Sequence, residues 1–253
     1  MNRPVDSLMT AAVPGDTAPL RATLHVRAAS RFYVGMVAAL LLTVLLGFAP
    51  GVYLRHFGDA KDLPPHVWIH GAILTGWFAV LGTQAMLVAK RRVSLHRQLG
   101  WLAAATGVAA VATSLQVTLA AVAAETLMAR TAWSNLANAL AFTVLLGAAL
   151  LLRRDAETHK RLILLASIAF VQPAVARWFR WPPFSELGVA PVVGAAVGSL
   201  LFVIAIAVHD LAVRRKLHTA TLLGGAFLIA LRLTAVFVVS ASDWGRAVLR
   251  ALV

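Results

Sequence analysis

Residues His66 to Ala89 read HVWIHGAILTGWFAVLGTQAMLVA, and this run indicates the class of fold that the chain adopts. It carries no Asp, Glu, Lys or Arg over 24 residues, and a helix needs about 20 apolar residues to cross ~30 Å of hydrocarbon. Lys90, Arg91 and Arg92 follow at once, as basic residues do at the cytoplasmic end of a span. Because backbone polar groups in lipid must be paired within the segment, the stretch predicts a transmembrane helix.

Six further apolar runs of similar length occur along the chain. They agree with the composition, since 60% of the 253 residues are apolar and 13% are charged, against ~25% charged in a soluble domain. The sequence therefore predicts an all-α polytopic membrane helix bundle. The seven predicted transmembrane spans are residues 32–54, 66–89, 98–123, 131–152, 162–179, 189–212 and 219–240. Residues 1–31 are polar and mixed, and they are predicted to form a mobile cytoplasmic tail ahead of a transmembrane domain at 32–253.

The basic residues are concentrated in alternate loops. With the N-terminus inside, the segments on that side hold 15 of the 23 Lys and Arg residues, and those on the other side hold seven. This asymmetry predicts a multi-pass protein of the cell inner membrane with a cytoplasmic N-terminus and a periplasmic C-terminus. A net charge of +13 can indicate nucleic-acid binding, but short basic clusters between apolar runs favour anionic membrane lipids as the partner instead.

Polar residues inside the spans carry the functional signal, because they cost free energy in lipid. By their depth in the predicted spans they fall into two groups, one in the outer half of the bundle and one at its inner boundary. The outer group is His66, His70, Gln116, Asn135, Asn138, Gln172, Arg177 and Arg232. The inner group is His96 and His159, with His209 close by.

Arg232 is the one basic residue that falls well inside a predicted span. It lies about 20 Å along the seventh helix at 1.5 Å per residue. Three roles stay open for it from the sequence. The side chain reaches the outer interface, pairs with Glu125 at the end of the third span, or holds an anionic ligand.

The histidines point to metal or haem chemistry. Neutral imidazole is a good ligand for haem iron, zinc and copper, and histidines on facing helices of a bundle can hold a haem. The chain has no cysteine, which excludes disulfides and iron–sulfur clusters but not a b-type haem. We interpret His96 and His159 as one axial pair and His70 as an outer ligand, with Arg177 and Arg232 neutralising propionates. The alternative is that each histidine is solvated or bound to a backbone carbonyl or a lipid phosphate.

The histidine-bearing segments resemble a known family. These segments are His70-Gly-Ala-Ile-Leu-Thr-Gly-Trp77, then Gln84, then Arg91-Arg-Val-Ser-Leu-His-Arg-Gln-Leu-Gly-Trp101. They are similar to an uncharacterised bacterial multi-pass membrane protein family, a predicted membrane domain of unknown function. The later His159-Lys-Arg-Leu162 with Arg177 resembles its second half, so the resemblance runs from about Pro64 to Trp181.

A more distant likeness is to the ascorbate-reducible transmembrane b-type cytochromes. Those proteins also open a span with His-Gly, carry a tryptophan about two turns on, and place a histidine at the start of the next helix. The likeness implies a four-helix core from spans 2 to 5, with His96 and His159 as the inner haem ligands and His70 as an outer one. The fourth span has Asn135 and Asn138 where an outer histidine is required, so the likeness implies a single inner haem or none.

Three functional hypotheses follow from these patterns. The leading one is a b-type haem-binding electron-transfer protein that works between a quinone or small reductant and a redox partner. The second is a transporter or binding protein for a small anion or lipid, in which Asn135, Asn138 and Gln172 form the pocket and Arg232 reads the charge. The third is a structural or assembly-factor membrane protein without a ligand. The residues do not choose a substrate, an oligomeric state or an enzymatic activity.

Overall fold

The structure, a computed structural model, describes residues 18–54 and 62–253 of the chain. Within these ranges every regular element is a helix and no strand occurs. The α-helices are α1 (Ala18–Phe48), α2 (Pro65–Ala89), α3 (Val93–Ala123), α4 (Ala129–Leu151), α5 (Ala156–Trp178), α6 (Pro191–Arg214), α7 (Thr219–Leu233) and α8 (Asp243–Ala251). A π-helical segment, Ala49–Tyr53, continues α1, a second, Thr234–Val239, continues α7, and a 3-10 helix spans Phe184–Leu187.

Seven helices in the described ranges are long and apolar enough to cross a membrane, with mean hydropathies between 1.3 and 2.5 over their spans. This confirms the predicted all-α polytopic bundle, and the chain is a multi-pass integral membrane protein. The bounds of α2 to α6 lie within a few residues of the predicted spans. The seventh span consists of α7 together with the π-helical segment that follows it.

The first helix begins earlier than predicted. α1 starts at Ala18, so residues 18–31, which the sequence analysis assigned to the mobile tail, are helical. Residues 1–17 of that tail lie outside the described residues. The early start of α1 has a local cause, since residues 20–46 contain no proline and are rich in Ala, Leu and Arg, which favour helix. Pro19 lies in the first turn, where a missing N–H group is tolerated.

α5 lies at the centre of the bundle, although it is the least apolar of the spans. In its most apolar stretch of 18 residues 72% of the residues are buried, against at most 50% in the corresponding stretch of any other span. It packs against α1, α4, α6 and α7, while α2, α3 and α4 pack on one another in chain order. α1 also packs between α2 and α5, so the core predicted for spans 2 to 5 is joined by α1.

Side chains fill the interior between α2, α3 and α4 near the middle of the bundle. Gly107 on α3 faces this region, and a Cβ atom there would lie 2.7 Å from Leu146 Cδ2 and 3.1 Å from Trp77 Cζ3. The Trp77 and Phe142 rings meet edge to face, with 4.9 Å between their centroids. A glycine allows this close approach of neighbouring helices, and it leaves no gap at this level for a flat ligand.

The two ends of the bundle differ in charge. The α2–α3, α4–α5 and α6–α7 connections meet at one end, which we call the basic end because it carries Lys and Arg clusters at residues 90–92, 153–154 and 214–216. The opposite end, called the far end, carries the α3–α4 and α5–α6 connections and α8. No sequence pattern predicted α8, which is held there by a hydrogen bond of 3.2 Å from Trp133 Nε1 to the Gly245 carbonyl. Which end faces the cytoplasm stays a prediction.

Candidate functional site

His96 and His159 lie at the basic end, each as the fourth residue of its helix, α3 and α5. Both residues therefore lie where the α2–α3 and α4–α5 connections meet. His159 Nδ1 lies 2.8 Å from the Ala149 carbonyl oxygen near the end of α4. Because a carbonyl only accepts, Nδ1 of the neutral ring carries the proton, and Nε2 is left as the nitrogen able to bind a metal.

Unpaired polar atoms surround His96. Its Nδ1 is buried without a hydrogen-bond partner among the described residues, and so are both Oε1 and Nε2 of Gln84 on α2. A buried polar atom left unpaired costs about 1–3 kcal/mol, so such atoms are rare in native proteins. Their concentration here indicates a place where a ligand or water supplies the missing partners.

Two glycines of α3 show how far open space extends from His96 into the bundle. One turn into the bundle from His96, no heavy atom lies within 4 Å of where a Cβ atom on Gly100 would stand. Two turns further, the tightly packed Gly107 closes the interior.

Within residues 18–54 and 62–253 no group of three or more His, Asp and Glu residues could hold a metal ion. A zinc site of ordinary ligand number is therefore not assembled there, whereas an axial haem pair requires only two imidazoles.

His70 belongs to a different level of the bundle, towards the far end. Its Nδ1 lies 3.3 Å from the Thr113 hydroxyl of α3. The Arg177 guanidinium donates to the Pro173 carbonyl at 2.9 Å and lies 4.2 Å from the centroid of the Phe48 ring. α4, the helix that the cytochrome likeness requires to supply a second imidazole, contains no histidine.

A buried hydrogen-bond network in the far half joins α4, α5, α6 and α7. Gln172 Oε1 accepts from the Ser134 hydroxyl at 3.0 Å and from Asn138 Nδ2 at 2.5 Å. Asn138 Oδ1 accepts from Arg232 Nη2 at 2.9 Å, and the Ser199 hydroxyl oxygen accepts from Arg232 Nη1 at 2.5 Å. Three residues singled out by the sequence, Asn138, Gln172 and Arg232, are thus brought together. Ser134 and Ser199 join them, and sequence reasoning did not place either in a site.

Two expectations from the sequence about this region differ from the structure. The pairing of Arg232 with Glu125 does not form, since none of the ion pairs of the described residues involves Arg232. Glu125 is exposed at the end of α3. Asn135 is only half-buried, and no hydrogen bond described for residues 62–253 connects it to the network. The network therefore contains a guanidinium, amides and hydroxyls, but no carboxylate.

Sequence reasoning missed a buried ion pair at the basic end. Asp210 on α6 is completely buried, and its Oδ1 lies 2.9 Å from Arg161 Nε on α5. Asp210 Oδ2 accepts from the Thr221 hydroxyl at 2.5 Å and from the His218 N–H at 3.2 Å. Arg161 also donates to Glu157 Oε2 at 2.6 Å. The available signal was Asp210 itself, a carboxylate inside the predicted sixth span.

Two loop residues at this end cap helices. Asp155 Oδ1 accepts from the backbone N–H groups of Glu157 and Thr158 at the start of α5. The Thr158 hydroxyl, which also donates to this carboxylate, is the main reason that the pKa of Asp155 lies below its usual range. His218 Nδ1 accepts from the Ala220 N–H at 3.1 Å, so it caps α7 in its neutral form. Burial, followed by the charges of Arg161 and Arg214, lowers the pKa of His218.

A cavity of about 450 Å³ lies at the far end between the end of α3 and α8. Glu125, Leu249 and Arg250 are among the residues that line it. Apart from Glu125, which does not pair with Arg232, none of the site residues named from the sequence borders this cavity, so we assign it no part in the chemistry of the histidines or of Arg232.

Comparison with protein-family models, with curated proteins and with solved structures finds no match for this chain. The class of the protein therefore rests on the chain itself, and that class is a multi-pass integral membrane protein built from seven apolar helices. The resemblances drawn from the sequence remain expectations.

Proposed function

We propose that this membrane protein holds a single b-type haem at the basic end, between His96 and His159, and that it passes electrons between a quinone or small reductant and a redox partner. One observation carries the proposal. The Nδ1 of His96 is buried without a hydrogen-bond partner among the described residues, at the end of the bundle where His159 lies in the first turn of α5.

The surroundings of the two imidazoles support this function. The hydrogen bond from His159 Nδ1 to the Ala149 carbonyl orients the ring and leaves Nε2 available, which is the usual arrangement of a ligating histidine. The unpaired amide of Gln84 offers a donor, and the basic residues at 90–92 and Arg97 offer charges for propionates. Haem supplies one-electron chemistry, while the protein fixes the ligands and their environment.

Among the described residues, we find ligands for this role at the basic end alone. His70 has Thr113 beside it, and α4 has no histidine to complete an outer pair. Arg177 and Arg232, which the sequence analysis assigned to propionates, lie towards the far end. Asn138, the partner of Arg232, is 11 residues from Ala149 on α4, or about 16 Å along the helix.

A reduced-minus-oxidised optical spectrum tests the proposal. The full chain, purified from haem-replete cells, should show b-type bands that disappear in the His96→Ala and His159→Ala variants. His209→Ala is a matched control, since His209 lies at the same end but stacks on Phe32 with 3.9 Å between ring centroids. His96→Met is a second variant that replaces imidazole by a thioether, and it should raise the reduction potential. A colourless, folded wild-type preparation would refute haem binding and favour the structural or assembly role.

A further inference from the structure

Arg232 carries a charge in the far half of the bundle that no described residue neutralises. The ion pairs of residues 18–54 and 62–253 include Arg161, Lys160, Arg214 and Arg246 but not Arg232. Its Nε is buried and has no hydrogen-bond partner. A guanidinium within a membrane bundle ordinarily pairs with a carboxylate or lines an ion or substrate site. No ion pair of the described residues takes up the charge of Arg232, so this charge is available to a bound anion.

Neutral oxygens hold the guanidinium in a fixed position without neutralising it. Nη1 donates to Ser199 and Nη2 to Asn138, which occupies two of the five N–H groups of the fork. The Asn138 amide is itself oriented, because its Nδ2 donates to Gln172 Oε1. Asn138, Gln172 and Ser199 are all buried. Arg232 is therefore pre-oriented with unused donors, which is the arrangement that an anion requires.

A second feature of the same place is independent of the charge. One residue after Arg232, at Leu233, α7 ends and the π-helical segment Thr234–Val239 begins. This segment packs against α4, the helix that carries Asn138. Short π-helical segments inside α-helices are rare and occur frequently at functional sites, where they change the direction of side chains.

We propose that Arg232, Asn138 and Ser199 form a binding site for one singly charged anion in the far half of the bundle. Arg232 supplies the charge and the free N–H donors, while Asn138 and Ser199 hold its fork in place. The anion is either a free inorganic ion or the phosphate of a lipid headgroup, since both present the same negative acceptor. The site is separate from the proposed haem, which lies at the basic end.

Thermal unfolding of the full chain in nanodiscs tests this proposal. In nanodiscs of digalactosyldiacylglycerol, a bilayer lipid without phosphate, replacing sodium gluconate by sodium chloride at constant ionic strength should raise the unfolding midpoint in a saturable way, because an anion that binds only the folded state stabilises it. In a second arm, phosphatidylglycerol is added to the nanodiscs without chloride. Stabilisation in the chloride arm alone identifies a free anion, and stabilisation in the lipid arm alone identifies a headgroup.

Arg232→Gln is the decisive variant. It should raise the apparent dissociation constant of the anion about tenfold or more, a change of one decade in affinity, and its midpoint without anion should be no lower than that of the wild type. Arg246→Gln is the matched control, because Arg246 is an exposed arginine at the far end with its own partner, Asp243, at 2.6 Å. It should respond to the anion as the wild type does.

Two results would overturn the proposal. One is an unfolding midpoint of the wild type that depends on neither chloride nor phosphatidylglycerol. The other is an Arg232→Gln protein that keeps the wild-type response. Should that variant fail to fold, Asn138→Ala and Ser199→Ala retain the charge but remove one support each. Both are expected to weaken anion binding, and an unchanged affinity in both would equally refute the site.

Discussion

Arg161 on α5 and Asp210 on α6 form an ion pair inside the bundle, with side chains that are only 2% and 0% exposed. The carboxylate also accepts from Thr221 on α7 and from the backbone of His218. The central helix is therefore tied to both α6 and α7 at the basic end. A buried pair is stable only when its remaining donors and acceptors are also satisfied, and for Asp210 the hydroxyl and the backbone N–H provide this.

Breaking this pair should destabilise the protein strongly. Arg161→Met leaves the buried Asp210 carboxylate without its counter-charge, which costs about 3–5 kcal/mol. Asp210→Asn leaves Arg161 with Glu157 as its counter-charge and should cost less. The double variant Arg161→Met/Asp210→Leu removes both charges and should recover much of the loss. The unfolding midpoint in detergent micelles measures the effect. Arg214→Gln is the control, because Arg214 contacts the same group of charges only through a longer ion pair with Glu157, at 3.8 Å. Single variants no less stable than Arg214→Gln would contradict the role of the pair.

His218 should make the stability depend on pH. Its pKa is lowered by burial and by Arg161 and Arg214, so the folded state binds the proton less readily than the unfolded chain, in which the pKa is near ~6.5. The stabilising contribution is thus complete above ~6.5 and is lost as the pH falls through the lower folded value. Protonation also removes the acceptor that caps α7 at the Ala220 N–H.

The His218→Asn variant isolates this effect, because asparagine caps helices well and does not titrate. The unfolding midpoint of the wild type should fall more between pH 7.5 and 5.5 than that of His218→Asn. The charged groups near His218 (Arg161, Arg214, Asp210 and Asp155) are the same in both proteins. Equal pH dependence of the two proteins would show that His218 contributes nothing to it.

Gly47 on α1 should tolerate no side chain. A Cβ atom there would lie 2.6 Å from the backbone oxygen and 2.8 Å from the Cα of Ala174 on α5, and backbone atoms cannot move aside as a flexible side chain does. We expect Gly47→Ala to cost about 1–3 kcal/mol, as overpacking does. Gly76→Ala on α2 is the control, since nothing lies within 4 Å of a Cβ there and alanine favours helix. The prediction fails if the two variants have the same unfolding midpoint.

The seven spans could be predicted because the length of an apolar run is a local property of the sequence. Which of the spans is most buried in the bundle could not be predicted, since lipid and protein interior accept the same apolar side chains. α5 is the least hydropathic span and is nevertheless central, because Arg161, Ser167 and Gln172 find their partners only inside the protein.

The candidate sites show the same division between local and long-range information. Depth along the spans correctly grouped Asn138, Gln172 and Arg232 at one level, since depth follows from the rise per residue. Depth does not tell which helices face each other. Glu125 was therefore considered as the partner of Arg232, while Ser199 was overlooked. The partners Arg161 and Asp210 lie 49 residues apart, and only the packing of α5 on α6 unites them.

The orientation in the membrane can be tested directly because the chain has no cysteine. A single introduced thiol is then the only site for a membrane-impermeant maleimide. Ser94→Cys places it at the basic end and Ser185→Cys at the far end, and both positions are exposed. The excess of basic residues at the first of these ends predicts that it faces the cytoplasm. In intact cells with a permeabilised outer membrane, Ser185→Cys should react and Ser94→Cys should react only after lysis. The reverse pattern would place the proposed haem pair, His96 and His159, at the periplasmic face and would exclude a cytoplasmic reductant as its electron donor.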